Sequence, residues 1–130
     1  MALRILFVED NAPIRESIDI LLQGDEREVV SCESAEQALA AFELQPFDVL
    51  VTDVSLPEMS GIELARRVIA MSPATWVILS SGYALDSGLE KLGPQVRSLP
   101  KPFELDAMDA LLSEIRSKLP GTTPNSRASD

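Results

Sequence analysis

At 130 residues the chain has the length of one domain with a core of its own, and leaves no room for a second module of ordinary size. Its formal charge is -10, from 21 acidic and 11 basic residues, which argues against direct nucleic-acid binding because phosphate contact needs clustered Lys and Arg. One cysteine, Cys32, and no histidine exclude an internal disulfide, a Cys/His zinc set and the commonest general base together. Any metal has to be held by oxygen. There is no phosphate-binding glycine loop and no apolar run of membrane-spanning length, and the N-terminus lacks the pattern of a secretion signal. The expectation is a cytoplasmic protein without membrane contact.

In chain order, "LRILFVED" opens with a continuous apolar run, Leu3 to Val8, the pattern of a strand buried on both faces of a parallel sheet. Pro13 suits the first turn of the helix that follows, whose apolar positions are Ile14, Ile18, Leu21 and Leu22. "EVVSC" reads as a short second strand. Ser34 with Gln37 has the spacing of a capping box and opens a helix carrying Ala35, Ala38, Leu39 and Phe42. "DVLVTD" is a third strand, and Ser60 with Glu63 repeats the capping pattern before Ile62, Leu64, Ala65, Val68 and Ile69. "TWVILSSG" is a fourth strand, with Trp76 as a core residue near its start. "YALDSGLEKLGP" carries two glycines and predicts a short or irregular fourth helix. "VRSL" is a fifth strand, followed by a last helix from Glu104 to Lys118 with Leu105, Met108, Leu111, Leu112 and Ile115 on one face. Residues 1–119 form the domain, and 120–130, "PGTTPNSRASD", read as a disordered tail or the start of a linker.

Strands and helices alternating in this way predict an α/β fold, a doubly wound, five-stranded parallel sheet with helices on both faces. In such sheets the functional site lies beyond the carboxyl ends of the strands. The strand ends carry Glu9 and Asp10, Asp53, the Ser80-Ser81-Gly82 run, and Lys101-Pro102. Three carboxylates on one rim repel one another, and one lysine offsets one charge. A divalent ion fits the remainder, and an all-oxygen set favours Mg²⁺ or Mn²⁺. An aspartate beside such an ion, with a lysine and a hydroxyl near it, can attack a phosphoryl group and become an aspartyl phosphate.

The four stretches "VEDN", "TDVSLPEMSG", "LSSG" and "KPF", in this order and at these separations, resemble the receiver domain of two-component response regulators from about Leu3 to Lys118. The resemblance implies a flavodoxin-like sheet of order 2-1-3-4-5, with Asp53 as phosphoacceptor. It implies Asp10 as a direct Mg²⁺ ligand, Glu9 close by, and the backbone carbonyl of Ser55 completing the set. Lys101 would contact the phosphoryl group, with a cis peptide before Pro102. Ser81 would be the switch hydroxyl, with Gly82 beside it. By pattern alone Ser80 and Ser81 are both candidates, because a one-residue slip reverses the face a strand residue presents.

The implied partners are a histidine kinase or phosphotransfer protein upstream and a protein or covalently linked effector downstream. Phosphorylation would rearrange the face of the fourth and fifth helices and strands, with a homodimer as one outcome. The chain departs from the family at Glu9, where Asp is commoner, and at Ser98, where an aromatic switch residue is usual; Tyr83 could take over part of that role. Two other readings stand beside the phosphoacceptor. One is a pseudo-receiver that binds partners without phosphorylation. The other is an aspartyl-phosphate phosphatase, which would need a second acid two residues after the nucleophile, where this chain has Ser55.

Overall fold

The computed structural model describes residues 3–24, 26–56, 58–81, 93–100 and 105–118, with Ser81, Pro100 and Leu105 described by their main chain. Among the described residues nine elements follow in order: β1 (Leu3–Val8), α1 (Ala12–Leu22), β2 (Arg27–Cys32), α2 (Ala35–Leu44), β3 (Val49–Asp53), α3 (Gly61–Met71), β4 (Trp76–Ser81), β5 (Val96–Pro100) and α4 (Leu105–Lys118). All five strands are parallel, in the order β2-β1-β3-β4-β5. The expected helix over "YALDSGLEKLGP", up to Leu92, and the tail from 120 lie outside the described residues; Gly93 and Pro94 are described and are not helical.

The continuous apolar strands are continuous because both faces of the sheet are covered. Leu6, Leu50, Val77 and Val96 form one row, packed with Ala38 and Phe42 of α2 and Leu64, Ala65 and Val68 of α3. Ile5, Phe7, Val49, Val51 and Ile78 face the other way, against Leu22 of α1 and Met108, Leu112 and Ile115 of α4. Each large side chain so buried contributes about 2 kcal/mol against solvent. β2, at the sheet edge, is mostly half-buried, which is why its sequence is more polar.

Helix starts follow the caps in part. Ser34 Oγ accepts from the Gln37 amide at 3.1 Å, and Ser60 Oγ accepts from the Glu63 amide at 3.2 Å. The return bonds differ from the capping-box pattern. Gln37 accepts from the Glu33 amide, one residue before the cap, and Glu63 is drawn instead to Arg66 and Arg67 in the next turn. For α1 the cap is Asn11, whose Oδ1 accepts from the Ile14 amide.

The apolar face expected for α1 is narrower than its spacing suggests. Only Leu22 is buried, with Ile18 packed against the same cluster, while Ile14 and Leu21 are exposed. No described helix is long and apolar enough to cross a membrane.

Candidate functional site

β1 and β3 are neighbours in the sheet although β2 separates them in sequence, so the strand order reverses between them. Glu9 and Asp10 leave the end of β1, and Asp53 closes β3. One carboxylate oxygen from each of the three lies within 4.8 Å of the other two. The sheet topology therefore brings Asp53 to the rim that carries Glu9 and Asp10, although 43 residues separate it from Asp10 in sequence.

Local bonds hold Glu9 and Asp53 in place. The Glu9 amide extends the β1–β2 ladder by donating to the Cys32 carbonyl, and Arg15 donates from α1 to the Glu9 carbonyl at 2.8 Å. Glu9 is buried, at 3% exposure, and its Oε2 accepts from the Asn11 amide at 3.1 Å. Asp10 is exposed and Asp53 half-buried. Asp53 Oδ1 accepts from the Ser55 amide at 3.3 Å, so the loop after β3 folds back onto the carboxylate.

That loop is held closely. The Val54 amide donates to the Ser80 carbonyl, and the Gly61 amide donates to the Val54 carbonyl, both at 2.9 Å. A side chain at Gly61 would run into the backbone carbonyl of Asp53, so only glycine lets α3 start this close to the end of β3. Glu58 has φ 68°, a left-handed conformation that costs a residue with a Cβ about 1 kcal/mol. Leu56 and Met59 pack against the core and anchor the turn on either side.

The donor set fits a small hard cation. Three carboxylates, one exposed and one half-buried, offer oxygen alone and leave room for water, which suits Mg²⁺ and not a thiolate-seeking metal. Cys32, buried at the end of β2, is disfavoured as a nucleophile. Burial pushes its thiol pKa up, against a smaller lowering by the Arg15 guanidinium.

A model of the "Response regulator receiver domain" family matches residues 5–113. The chain belongs to the response regulator receiver family. Response regulator protein FleR of Pseudomonas aeruginosa is 34% identical over 126 residues, which cover 94% of this chain and 26% of FleR. Cell cycle response regulator CtrA of Brucella ovis is 29% identical over 120 residues, covering 89% of this chain and 52% of CtrA. The receiver chain thus spans about a quarter to a half of these curated relatives. Among solved structures, a CheY-like response regulator receiver domain protein from Methanospirillum hungatei aligns with a TM-score of 0.80 at 26% identity, over 90% of this chain and 96% of the other.

Of the site residues expected for this receiver, Glu9, Asp10 and Asp53 converge, and Ser55 lies exposed in the loop bound to Asp53. Ser98 is exposed on β5, paired in register with Leu79. Ser81 ends β4 opposite Pro100. Gly82, Tyr83, Lys101 and Pro102 lie outside the described residues. The sequence reading assigned a role to neither Arg15 nor Gly61. Arg15 carries a signal only in hindsight, six residues after Glu9 on the first helix. Gly61 was visible as a loop glycine, but its contact with Asp53 depends on the fold.

Proposed function

We propose that this receiver is a phosphoacceptor signalling module in which Asp53 takes a phosphoryl group and the product state changes partner binding. The observation that carries this reading is the convergence of Glu9, Asp10 and Asp53 on one rim of a receiver fold. An Asp53 carboxylate oxygen attacks phosphorus, a new O–P bond forms, and the bond from phosphorus to the donor breaks with its electrons going to the donor. With no histidine in this chain, the donor is assigned to a phosphohistidine on a kinase or phosphotransfer protein, and the leaving imidazole takes up a proton.

Glu9, Asp10, Asp53 and the Ser55 carbonyl are the groups that would hold Mg²⁺, or Mn²⁺ in its place. The ion when bound neutralises phosphoryl oxygens. This chain's part is positioning: the Ser55 amide orients the Asp53 carboxylate, and the Asn11 amide orients Glu9. Lys101 is assigned to the phosphoryl oxygens, ahead of the turn at Pro102, and Ser81 and Gly82 to the switch. The exposed Ser98, where the family usually has an aromatic, leaves the output conformation to other groups, Tyr83 among them. The output is exchange of partners in the cytoplasm, with slow self-dephosphorylation resetting it; the receiver unit is assigned to 1–119 and linker or tail to 120–130.

The test is incubation with acetyl phosphate, with and without Mg²⁺, followed by intact mass. The expected result is a Mg²⁺-dependent gain of one phosphoryl group that is absent in Asp53→Asn. A folded wild type that binds Mg²⁺ yet gains nothing from acetyl phosphate or from a phosphohistidine donor would transfer the reading to a pseudo-receiver.

A further inference from the structure

The register that brings the acids together also brings in a hydroxyl. Phe7, Val51 and Ile78 lie in one row across β1, β3 and β4, on the sheet face covered by α1 and α4. Two residues on, the side chains return to that face. The next row is therefore Glu9, Asp53, Ser80 and Leu99, with Asp53 paired to Ser80 and Ser80 to Leu99. Glu9 and Leu99 are buried and Asp53 half-buried, so this row is the inner wall of the site and not its solvent edge.

Ser80 is out of place in that wall unless it has work there. It is buried at 3% exposure, and its Oγ has no hydrogen-bond partner. An alanine or valine would fill the position without that loss. A buried hydroxyl left unbonded is destabilising, so the resting state is the unfavourable one for this group. Leu99 on one side offers no acceptor. Asp53 on the other does, and it is the group that changes in the reaction.

We propose that Ser80 is a second site hydroxyl, which donates to the phosphorylated Asp53 side chain from the buried wall. This deepens the phosphoacceptor reading and rests on it. Phosphorylation lengthens the Asp53 side chain and adds acceptor oxygens on the adjacent strand. The hydroxyl then gains a charge-assisted bond that it lacks at rest, so the phosphorylated state is favoured by relief of a resting-state deficit. Ser80 acts alongside Ser81, which belongs to the next position of the strand.

The experiment is thermal melting of wild type, Ser80→Ala and Asp53→Asn, each with Mg²⁺ alone and with Mg²⁺ plus trifluoroberyllate as a phosphoryl mimic. Ser80→Ala is expected to melt above wild type with Mg²⁺ alone, since an unbonded buried hydroxyl is gone. It is expected to need about tenfold more trifluoroberyllate for half-saturation, the loss of one charge-assisted bond. A purely structural serine would shift both states equally. Equal shifts with unchanged half-saturation overturn the role of Ser80 while leaving Asp53 as acceptor. A wild type that, like Asp53→Asn, gains nothing from the mimic overturns both.

Discussion

At the carboxyl end of the sheet, Glu9, Asp10 and Asp53 bring three carboxylates within 4.8 Å of one another, and at the amino end carboxylates pair with arginine and lysine. There Arg97 and Lys118 both bind Glu114, Arg27 binds Asp109, and Arg116 binds the carboxylate and the carbonyl of Glu26. The same strands supply both ends, so the contrast is not one of fold. Matched surface pairs each contribute little and tie α4 to the sheet. Gathered like charges oppose folding, and on the proposed reading a cation and a phosphoryl group would offset them. One end holds the domain together; the other carries the acids to which the proposed change of state is assigned.

The largest effect should come from breaking the close fit that supports the acidic end. Gly61→Ala places a methyl against the Asp53 carbonyl, and the neighbour is backbone, which cannot swing aside. Overpacking of this kind is expected to cost about 3 kcal/mol in urea unfolding and to move Asp53 relative to Glu9 and Asp10. Unfolding at the wild-type midpoint, with wild-type phosphorylation, would mean that α3 can recede freely and that the glycine is incidental.

A smaller effect, of opposite sign, sharpens the comparison directly. Asp53→Asn removes one of the gathered charges and should stabilise the metal-free protein by about 1 kcal/mol, the scale of like-charge repulsion at this separation near water. With saturating Mg²⁺ the order should reverse, because wild type gains more from the ion. At the amino end the equivalent neutralisation, Glu114→Gln, should destabilise slightly with or without Mg²⁺. Paired urea titrations of the two variants check this, and an Asp53→Asn protein less stable than wild type without metal would remove the electrostatic contrast.

How much of this was legible in the sequence varied with the range of the interaction. The five strands could be read because burial on both faces writes an uninterrupted apolar run, as in "VLVTD". The acidic rim could be read because parallel strands align their ends. Side-chain facing was harder. Ile14 and Leu21 have helical spacing, yet both are exposed, since α1 packs only a narrow stripe through Ile18 and Leu22. Ser80 and Ser81 could not be told apart in function by pattern, and the register then put Ser80 opposite Asp53. The contacts of Arg15 and Gly61 join elements distant along the chain, and no local pattern encodes them. Trp76 reads as core but is half-buried, its ring 5.0 Å from the Arg97 guanidinium and 5.7 Å from the Lys118 ammonium.

That tryptophan, the only one in the chain, makes the amino end observable by itself. Arg97, by its hydrogen bond, and then Lys118 hold the Glu114 carboxyl below the usual carboxylate range, against a small opposing effect of burial. The folded protein therefore keeps Glu114 ionised at a pH where the unfolded chain has begun to protonate it. The pair's contribution is complete above the ordinary glutamate pKa of about 4.3 and is lost as pH falls through the lower folded value. As Glu114 protonates, Arg97 and Lys118 are released from it while still facing the indole. Trp76 fluorescence should then show a step below the ordinary carboxylate range, screened by salt and absent in Glu114→Gln. Mg²⁺ should leave the step unchanged, because β4 carries Trp76 roughly 16 Å from the acidic rim at about 3.3 Å per residue. A step that moves with Mg²⁺ would mean that the two ends are coupled through β4, and that the division of labour between them is false.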